Sequence, residues 1–504
     1  MELLLKTQAL PYLRCSVRQT LSQEQTQELT VPDSLPDVSR MITCFASAEL
    51  RSKQCRDGAV QLSGGVRASC LYAPPEQEQT PLCEVESYLP FTLRLEHPAL
   101  RESSLLDVGC RVSAADARMI NSRKILFRIT VACPLQAFEE AELSIPTLEQ
   151  APAQLQTLEA CYETPLCVEL TERSFSLRDE TPLSEQDADI AQLVSFDLLP
   201  VVQEQRLIGG KALFKGVLQL SAVYLDPEQG LHTLQRELPF SQYCELREEY
   251  DGEQLQVQLV LTGSQLEPVM SGAERKLLLS AELLAQCQVT RCQSIRVISD
   301  AYGAGAELSP QWVSLTLPAI LDRQALRAEV HESFSLPAQR ILSSCLYLGA
   351  VRTDRTQAGV RVSVPANINL VYLDEDGALQ GKIVPAGAAC ELPAAQNAAV
   401  YGAAKLLPGG GCEVHAQNAE LFYEVLFSLE TDCEQEVRTL SGGTLAEPAG
   451  KGPKRACVVL RTCTEETALW ELGKQYAAPV CAIQAANHLQ GQQAPAGTLL
   501  LIPV

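Results

Sequence analysis

Histidine is scarce in this chain of 504 residues: His97, His232, His331, His415 and His488 are the only five, and none stands near another. Cys-x-x-Cys does not occur, so the ligand spacing of a zinc site is missing and no metal ligand is expected. Basic residues are outnumbered, with 40 Lys and Arg against 62 Asp and Glu. The formal charge of −22 excludes the cationic face that neutralises phosphates, so a nucleic acid partner is not expected. No apolar run approaches the roughly 18–20 residues of a membrane span. The opening MELLLKTQALPYLRC carries three leucines in a row, short of the apolar core of a secretory signal. On these grounds the chain is expected to be cytosolic.

Catalytic signatures are missing too. Gly209-Gly210-Lys211 lacks the upstream glycine and the Ser/Thr of a phosphate loop, and it precedes a strand where a helix would be needed. There is no Gly-x-Ser-x-Gly elbow, and no Cys or Ser has a histidine close by in sequence. Carboxylate pairs such as Glu139-Glu140 and Glu248-Glu249 fit solvated faces. We therefore expect no catalytic residue, no cofactor and no enzyme activity. Nineteen cysteines, an odd number scattered along the chain, are expected as reduced, mostly buried small hydrophobes, with intermolecular cross-linking the alternative.

What the chain does contain is a long sentence written three times. In Lys211 to Tyr224 (KALFKGVLQLSAVY), Ala212, Phe214, Gly216, Leu218, Leu220, Ala222 and Tyr224 share one parity, while Lys215, Gln219 and Ser221 fall on the other with Leu213, Val217 and Val223. Period two over such a length predicts a part-buried β-strand. It follows Gly209-Gly210 and stops at Asp226-Pro227-Glu228-Gln229-Gly230, both turn chemistry. Ala59 to Tyr72 and Gly359 to Tyr372 repeat the pattern, and the closing tyrosines lie 152 and 148 residues apart. A period that long is a whole domain, since a solenoid rung repeats every ~20–50 residues.

Other markers recur in step. Leu89-Pro90-Phe91 matches Leu238-Pro239-Phe240, and the third copy keeps only Ile383-Val384-Pro385; proline there predicts an edge strand or a strand end. Arg123-Lys124 matches Arg275-Lys276, whereas Leu421 to Val425 lacks the basic pair. Asp37-Val38 matches Asp189-Ile190 and could start a capped helix or open the next strand. Short strands punctuated by turns predict a mainly β chain of three repeated antiparallel sandwich- or barrel-like domains, at residues 1–143, 156–298 and 312–440. Ile145 to Leu155 and Asp300 to Pro310 are expected as connectors. Ser441 to Arg455 (SGGTLAEPAGKGPKR) is expected as a flexible linker, spanning about 20 Å if unstructured.

Residues 456–504 change character. A strand from Cys457 leads to Thr464-Glu465-Glu466-Thr467, then Leu469, Trp470, Leu472 and Tyr476 at helical spacing, with Thr464 able to cap. Pro479 opens a second short helix ending at Asn487, and Leu499 to Ile502 forms a closing strand. The module is expected as β-α-α-β with Trp470 in its core.

This tail resembles the LysM module through Glu466, Thr467, Leu469, Trp470, then Ile483, Asn487, Leu489, and finally Gly497, Leu499 and Ile502-Pro503. The departure is Glu465-Glu466-Thr467 where Gly-Asp-Thr is usual, which sets a carboxylate at the lip of the family's glycan groove. The three repeats resemble the SPOCS domain of spore-coat proteins. The carrying features are Val31-Pro32-Asp33 with Pro36-Asp37-Val38, the glycine-opened strands ending at Tyr72 and Tyr224, the Leu-Pro-Phe triplets and the Arg-Lys pairs; the third copy is degenerate. SPOCS repeats followed by one LysM module are similar to the SipL-type coat morphogenesis proteins of anaerobic spore-formers. The resemblance implies a mother-cell protein at the forespore surface. Its LysM module would bind a coat morphogenetic protein, the coat-basement ATPase (stage IV sporulation protein A), with peptidoglycan as the alternative ligand. The family groove implies a binding surface with Thr464, Glu466, Thr467 and Ala468 on one lip and Asn487, His488 and Leu489 on the other. Tyr72, Tyr224, Tyr372 and Trp470 are expected as structural anchors.

Overall fold

The computed structural model describes residues 1–76, 82–271, 274–393, 399–407, 409–415, 417–446 and 457–504, with side chains throughout except at 319–323 and 433. The described chain is mainly β, with two short helices near its end. Strands β1 (Leu5–Thr30), β2 (Arg40–Arg56), β3 (Ala59–Ala73), β4 (Cys83–Glu96), β5 (Leu105–Val108), β6 (Arg111–Asn121) and β7 (Lys124–Leu148) come first. Next are β8 (Leu155–Pro182), β9 (Gln192–Ile208), β10 (Lys211–Leu225), β11 (Leu231–Glu245), β12 (Gln254–Ser271) and β13 (Glu274–Gly303). Then follow β14 (Glu307–Ser335), β15 (Ala338–Leu348), β16 (Arg352–Arg355), β17 (Val360–Asp374), β18 (Leu379–Leu392), β19 (Ala399–Leu406), β20 (Gly411–His415) and β21 (Asn418–Ala446).

The three patterned stretches are the central strands β3, β10 and β17, flanked antiparallel in the orders β2-β3-β4, β9-β10-β11 and β15-β17-β18, with the short β16 taking over from β15 along the start of β17. Their parity is the burial pattern: Ala212, Phe214, Leu218, Leu220, Ala222 and Tyr224 are all buried in one core. The floor under each three-stranded sheet is a pair of very long strands, β1 with β7, β8 with β13 and β14 with β21. Each pair shifts register near its middle, at Cys15/Val17, Val289/Thr290 and Ile320/Asp322. A bulge sharpens the local twist, and here it separates two jobs. The outer halves pack under their own three-stranded sheet, as Val17 and Leu21 do beneath Val60 and Leu62. The inner halves pack against one another, joining Leu143 and Ile145 to Ile295, Val297, Leu317 and Val437. The sheets stay open; no barrel closes among the described residues.

The expected connectors therefore shrink to turns. Ile145 to Leu148 belong to β7 and Asp300 to Gly303 to β13, while Glu307 to Pro310 open β14. Pro146 and Pro310 suggested connectors, but the inner halves are mostly two-stranded ribbons, where a strand has a free side that needs no N–H. The expected linker also begins later. Ser441 to Ala446 continue β21, with Gly442 to Ala446 facing Glu307 to Gln311, and residues 447–456 lie outside the described residues.

Copies equivalent by the repeat spacing meet on a common axis. Leu71, Val223 and Val371 share one cluster with Ile42 and Val194, and Leu342 packs against it. Around that axis, the last strand of one sheet faces the first of the next. Gln192 donates to Glu84 at 2.9 Å (β9 to β4), and Arg40 donates to the Leu379 carbonyl at 2.9 Å (β2 to β18). Strand β11 touches β15 to complete the circuit. The three sheets thus follow one another around this shared cluster.

The recurring markers now have physical roles. Arg123 donates to the carbonyls of Val31, Pro32 and Leu35 at 2.8–2.9 Å and to Asp37 at 3.2 Å, pinning the loop ahead of β2. Arg275 does the same ahead of β9 through Asp189 (2.6 Å) and Ser184 (3.3 Å). These loops form no helix; they open the next strand. The triplet prolines Pro90 and Pro239 sit on the edge strands β4 and β11. Phe91 and Phe240 lie over Gly64 and Gly216, where an added Cβ would meet the ring at 2.4 and 2.9 Å. The same Cβ would also strike the Glu49 or Val201 carbonyl, at 2.2 and 2.0 Å, both near bulges. In the third copy Val364 pairs with Ala388, moving the bulk to the other strand, and β15 ends at Leu348 before any such bulge.

Candidate functional site

The last described segment builds a small body of its own. Strand β22 (Val458–Thr462) pairs antiparallel with β25 (Leu499–Pro503), and β23 (Thr467–Ala468) with β24 (Gln493–Ala494). Helices α1 (Leu469–Tyr476) and α2 (Val480–Asn487) cover one face of the sheet. Cys463, Leu469, Leu472, Ala478, Ile483, Ala494, Leu500 and Ile502 are the buried core. Each helix ends on a left-handed residue, Ala477 (φ 52°) and His488 (φ 54°), which closes the last turn through Ala478 N–H to Gly473 O and Leu489 N–H to Gln484 O.

The two expected lips are held by different strands. Thr464 and Glu466 are exposed; Thr467 and Ala468 are half-buried and pair with Ala494 and Gln493. Ala468 occupies the cap position of α1 without a side-chain cap, so the expected Thr464 cap is replaced by backbone pairing, Leu469 N–H to Gln492 O at 2.9 Å. Thr467 Oγ1 instead donates to the Glu465 carbonyl at 2.9 Å. On the other lip, Asn487 is a bracket. Its amide donates to Ile483 O (2.8 Å) and Leu501 O (2.6 Å) and accepts from Leu501 N–H (2.7 Å). His488 is exposed and Leu489 packs on the core edge.

Trp470 is not in that core. It stands half-buried on the far side of α1, edge-on to Tyr302 with ring centroids 4.8 Å apart, and its Nε1–H donates to Asp300 Oδ2 at 2.9 Å. Lys474 Nζ donates to both oxygens of Asp300 at 2.8 and 2.7 Å. Tyr302 donates to the Ala478 carbonyl and the Gly305 N–H to the Ala477 carbonyl, each at 2.9 Å. Gly473 makes this approach possible, because a Cβ there would sit 2.2 Å from the Tyr302 hydroxyl. Burial opposes the Asp300 charge, yet the hydrogen bonds from Lys474 and Trp470 outweigh it and hold its pKa below the ordinary carboxylate value. This clasp fixes the small body to the tip of the β13–β14 hairpin. Its signal in the sequence was the stripe Trp470, Gly473, Lys474, Ala477 on the helix side opposite Leu469 and Leu472.

The anchoring tyrosines differ in setting. Tyr72 is buried and donates to the Pro36 carbonyl at 3.0 Å, Tyr224 is buried, and Tyr372 is half-buried beside Ile341.

Elsewhere, ionisable groups cluster at two buried places. Glu169 accepts from the Arg247 N–H and, at 2.8 Å, from the Tyr250 hydroxyl. Asp107 sits where the three copies meet, near Lys53 and Lys405. Burial pushes its pKa up to about 6 against their pull, and its Oδ1 has no hydrogen-bond partner among the described residues. Neither recurs: 152 residues from Asp107 lies Leu259, and from Glu169 lies Val17. An open cleft of about 680 Å³ runs between the first and second copies, bordered by Glu49, Lys53, Glu172, Ser264 and Glu282. No group of three potential metal ligands is assembled among the described residues, and no described helix is long and apolar enough to cross a membrane.

Residues 189–267 match the family model described as SipL, SPOCS domain. The match runs from Asp189 through β9, β10 and β11 into β12, so it takes in the central strand and its Leu-Pro-Phe edge. No curated protein and no solved structure matches the chain.

Proposed function

We propose that this protein is a non-enzymatic adaptor in bacterial spore coat assembly. Three SPOCS-like β-sandwich units, the third degenerate, form its body, and a LysM-like module at residues 456–504 recruits a coat morphogenetic protein, the coat-basement ATPase (stage IV sporulation protein A). It acts in the mother-cell cytoplasm, at the forespore surface. The observation that carries this reading is the SPOCS match at residues 189–267, a sporulation-related domain. The body around it spends its buried volume on aliphatic and aromatic side chains. Linked units favour multivalent docking, in which weak contacts gain from high effective concentration.

The test is a pull-down with the full chain against purified coat-basement ATPase and, in parallel, insoluble peptidoglycan. The reading expects retention on the protein and its loss with Thr467→Arg or Leu489→Asp while Gly305 N–H, bonded to the Ala477 carbonyl, stays protected from hydrogen exchange. Retention on glycan alone would reject it.

A further inference from the structure

Val458, Leu460, Leu499 and Leu501 are large apolar residues exposed by 36–66 %, and all belong to one two-stranded sheet. Leu460 faces Leu501 across the ladder, Val458 faces Pro503 and Thr462 faces Leu499, so this outer face carries no charge. The helices cover the opposite face, and the clasp lies beyond them, so the body leaves this side uncovered. Scattered apolar residues need no explanation, but a contiguous patch marks an interface.

The backbone says which kind. Val504 N–H bonds to Cys457 O and Cys463 N–H to Thr498 O, which sets Cys457, Val459, Arg461 and Cys463 as the residues whose backbone faces β25. Val458, Leu460 and Thr462 therefore turn their N–H and C=O groups outward, and none has a partner among the described residues. On the other margin, the outward groups of Leu501 are taken by Asn487, and Pro503 has no N–H. One edge is closed and one is open. An occupant of the open edge must bring a short strand, uncharged and apolar on the same face.

We propose that the occupant is a second copy of this chain, pairing β22 with β22 antiparallel about a twofold through Leu460. The sheet then has four strands, β25-β22-β22-β25, with one continuous aliphatic face. This register sets Leu460 opposite Leu460 of the second copy and Arg461 opposite Val459 of the second copy, so no like charges meet. Capping of β25 by Asn487 limits the assembly to two copies.

Sedimentation of the full chain under reducing conditions tests this, because reduction removes any contribution from the exposed Cys457 and Cys481. A reversible, concentration-dependent shift from 54.9 kDa to twice that mass is expected. Leu460→Pro deletes an N–H the fold does not use and should abolish the dimer with the hydrogen-exchange protection of Gly305, bonded to Ala477, unchanged. Leu460→Lys brings two ammonium groups face to face on the exposed side, where folding is not at risk, and should weaken the dimer by roughly tenfold. A wild-type chain that stays monomeric, or captures only foreign strand peptides, overturns the proposal. So does a dimer indifferent to both variants.

Discussion

Replacing Asp300 with alanine removes one carboxylate that serves two residues of the last module. Its bond from Trp470 Nε1 is charge-assisted and half-buried, a class that contributes about 1.5–3 kcal/mol. The Lys474 pair is wetter, with side-chain exposures of 45 % and 26 %, and is discounted to about 0.2–1 kcal/mol. Together the loss is roughly 2–4 kcal/mol, which multiplies the released population by about 30 to 1,000. Hydrogen exchange at Gly305 reads this directly, because its N–H is bonded to Ala477 across the joint. Where exchange follows the opening equilibrium, the Gly305 rate should rise by that factor while the amides of the module core, such as Leu500, stay protected. The acid dependence follows from the depressed Asp300 pKa. Stabilisation is complete above the ordinary carboxylate value of 3.8 and is lost only as pH falls through the lower value in the folded state. Unchanged Gly305 protection in Asp300→Ala would refute the account of the clasp.

Three further outcomes follow from the fold. Asp107 is raised to about 6 from 3.8, so its charge costs up to ~3 kcal/mol; this one group's contribution is most favourable below the ordinary value of 3.8 and declines as pH rises through about 6. In Asp107→Asn the thermal midpoint should lose that decline, as scans at pH 4.5 and 7.5 will register. Gly216→Ala drives a methyl into the Val201 carbonyl and should lower stability by about 2 kcal/mol or more in urea unfolding. Arg275→Met frees the loop ahead of β9, costing about 1.5–3 kcal/mol; faster exchange should appear at Leu183, whose N–H bonds to the Arg275 carbonyl, and at Ala191, with β10 unaffected.

Much of this architecture was legible because period two is written plainly in β3, β10 and β17, where one face is apolar over the whole strand. The paired landmarks were visible as well, although their roles were not: nothing in Arg123-Lys124 says that the arginine reaches five groups of a loop some 90 residues earlier. Only the ends of the inner halves, Ile145 to Leu148, Asp300 to Gly303 and Glu307 to Pro310, were read as connectors, and for a physical reason. Pro146 and Pro310 interrupt the alternation there, on two-stranded ribbons that tolerate proline. The last module was legible as β-α-α-β from its spacing, although the expected Thr464 cap is not used. Trp470 was not, since a large aromatic at helical spacing looks like core unless the partner surface is known. Tyr302 and Asp300 lie about 170 residues away, in a stretch whose glycines suggested a loop.

The junction of three sheets on one apolar cluster has a consequence for stoichiometry. Copies held in separate chains must all be alike, so any feature placed on one tip would appear on all three. Fusing them into one polypeptide lifted that constraint: the positions matching Asp300 and Tyr302 are Leu148 and Gln150 in the first copy, and at the tip of the third stand Gly442 and Thr444. Three similar sheets thereby carry a single address, and the small body of residues 457–504 has one berth among them.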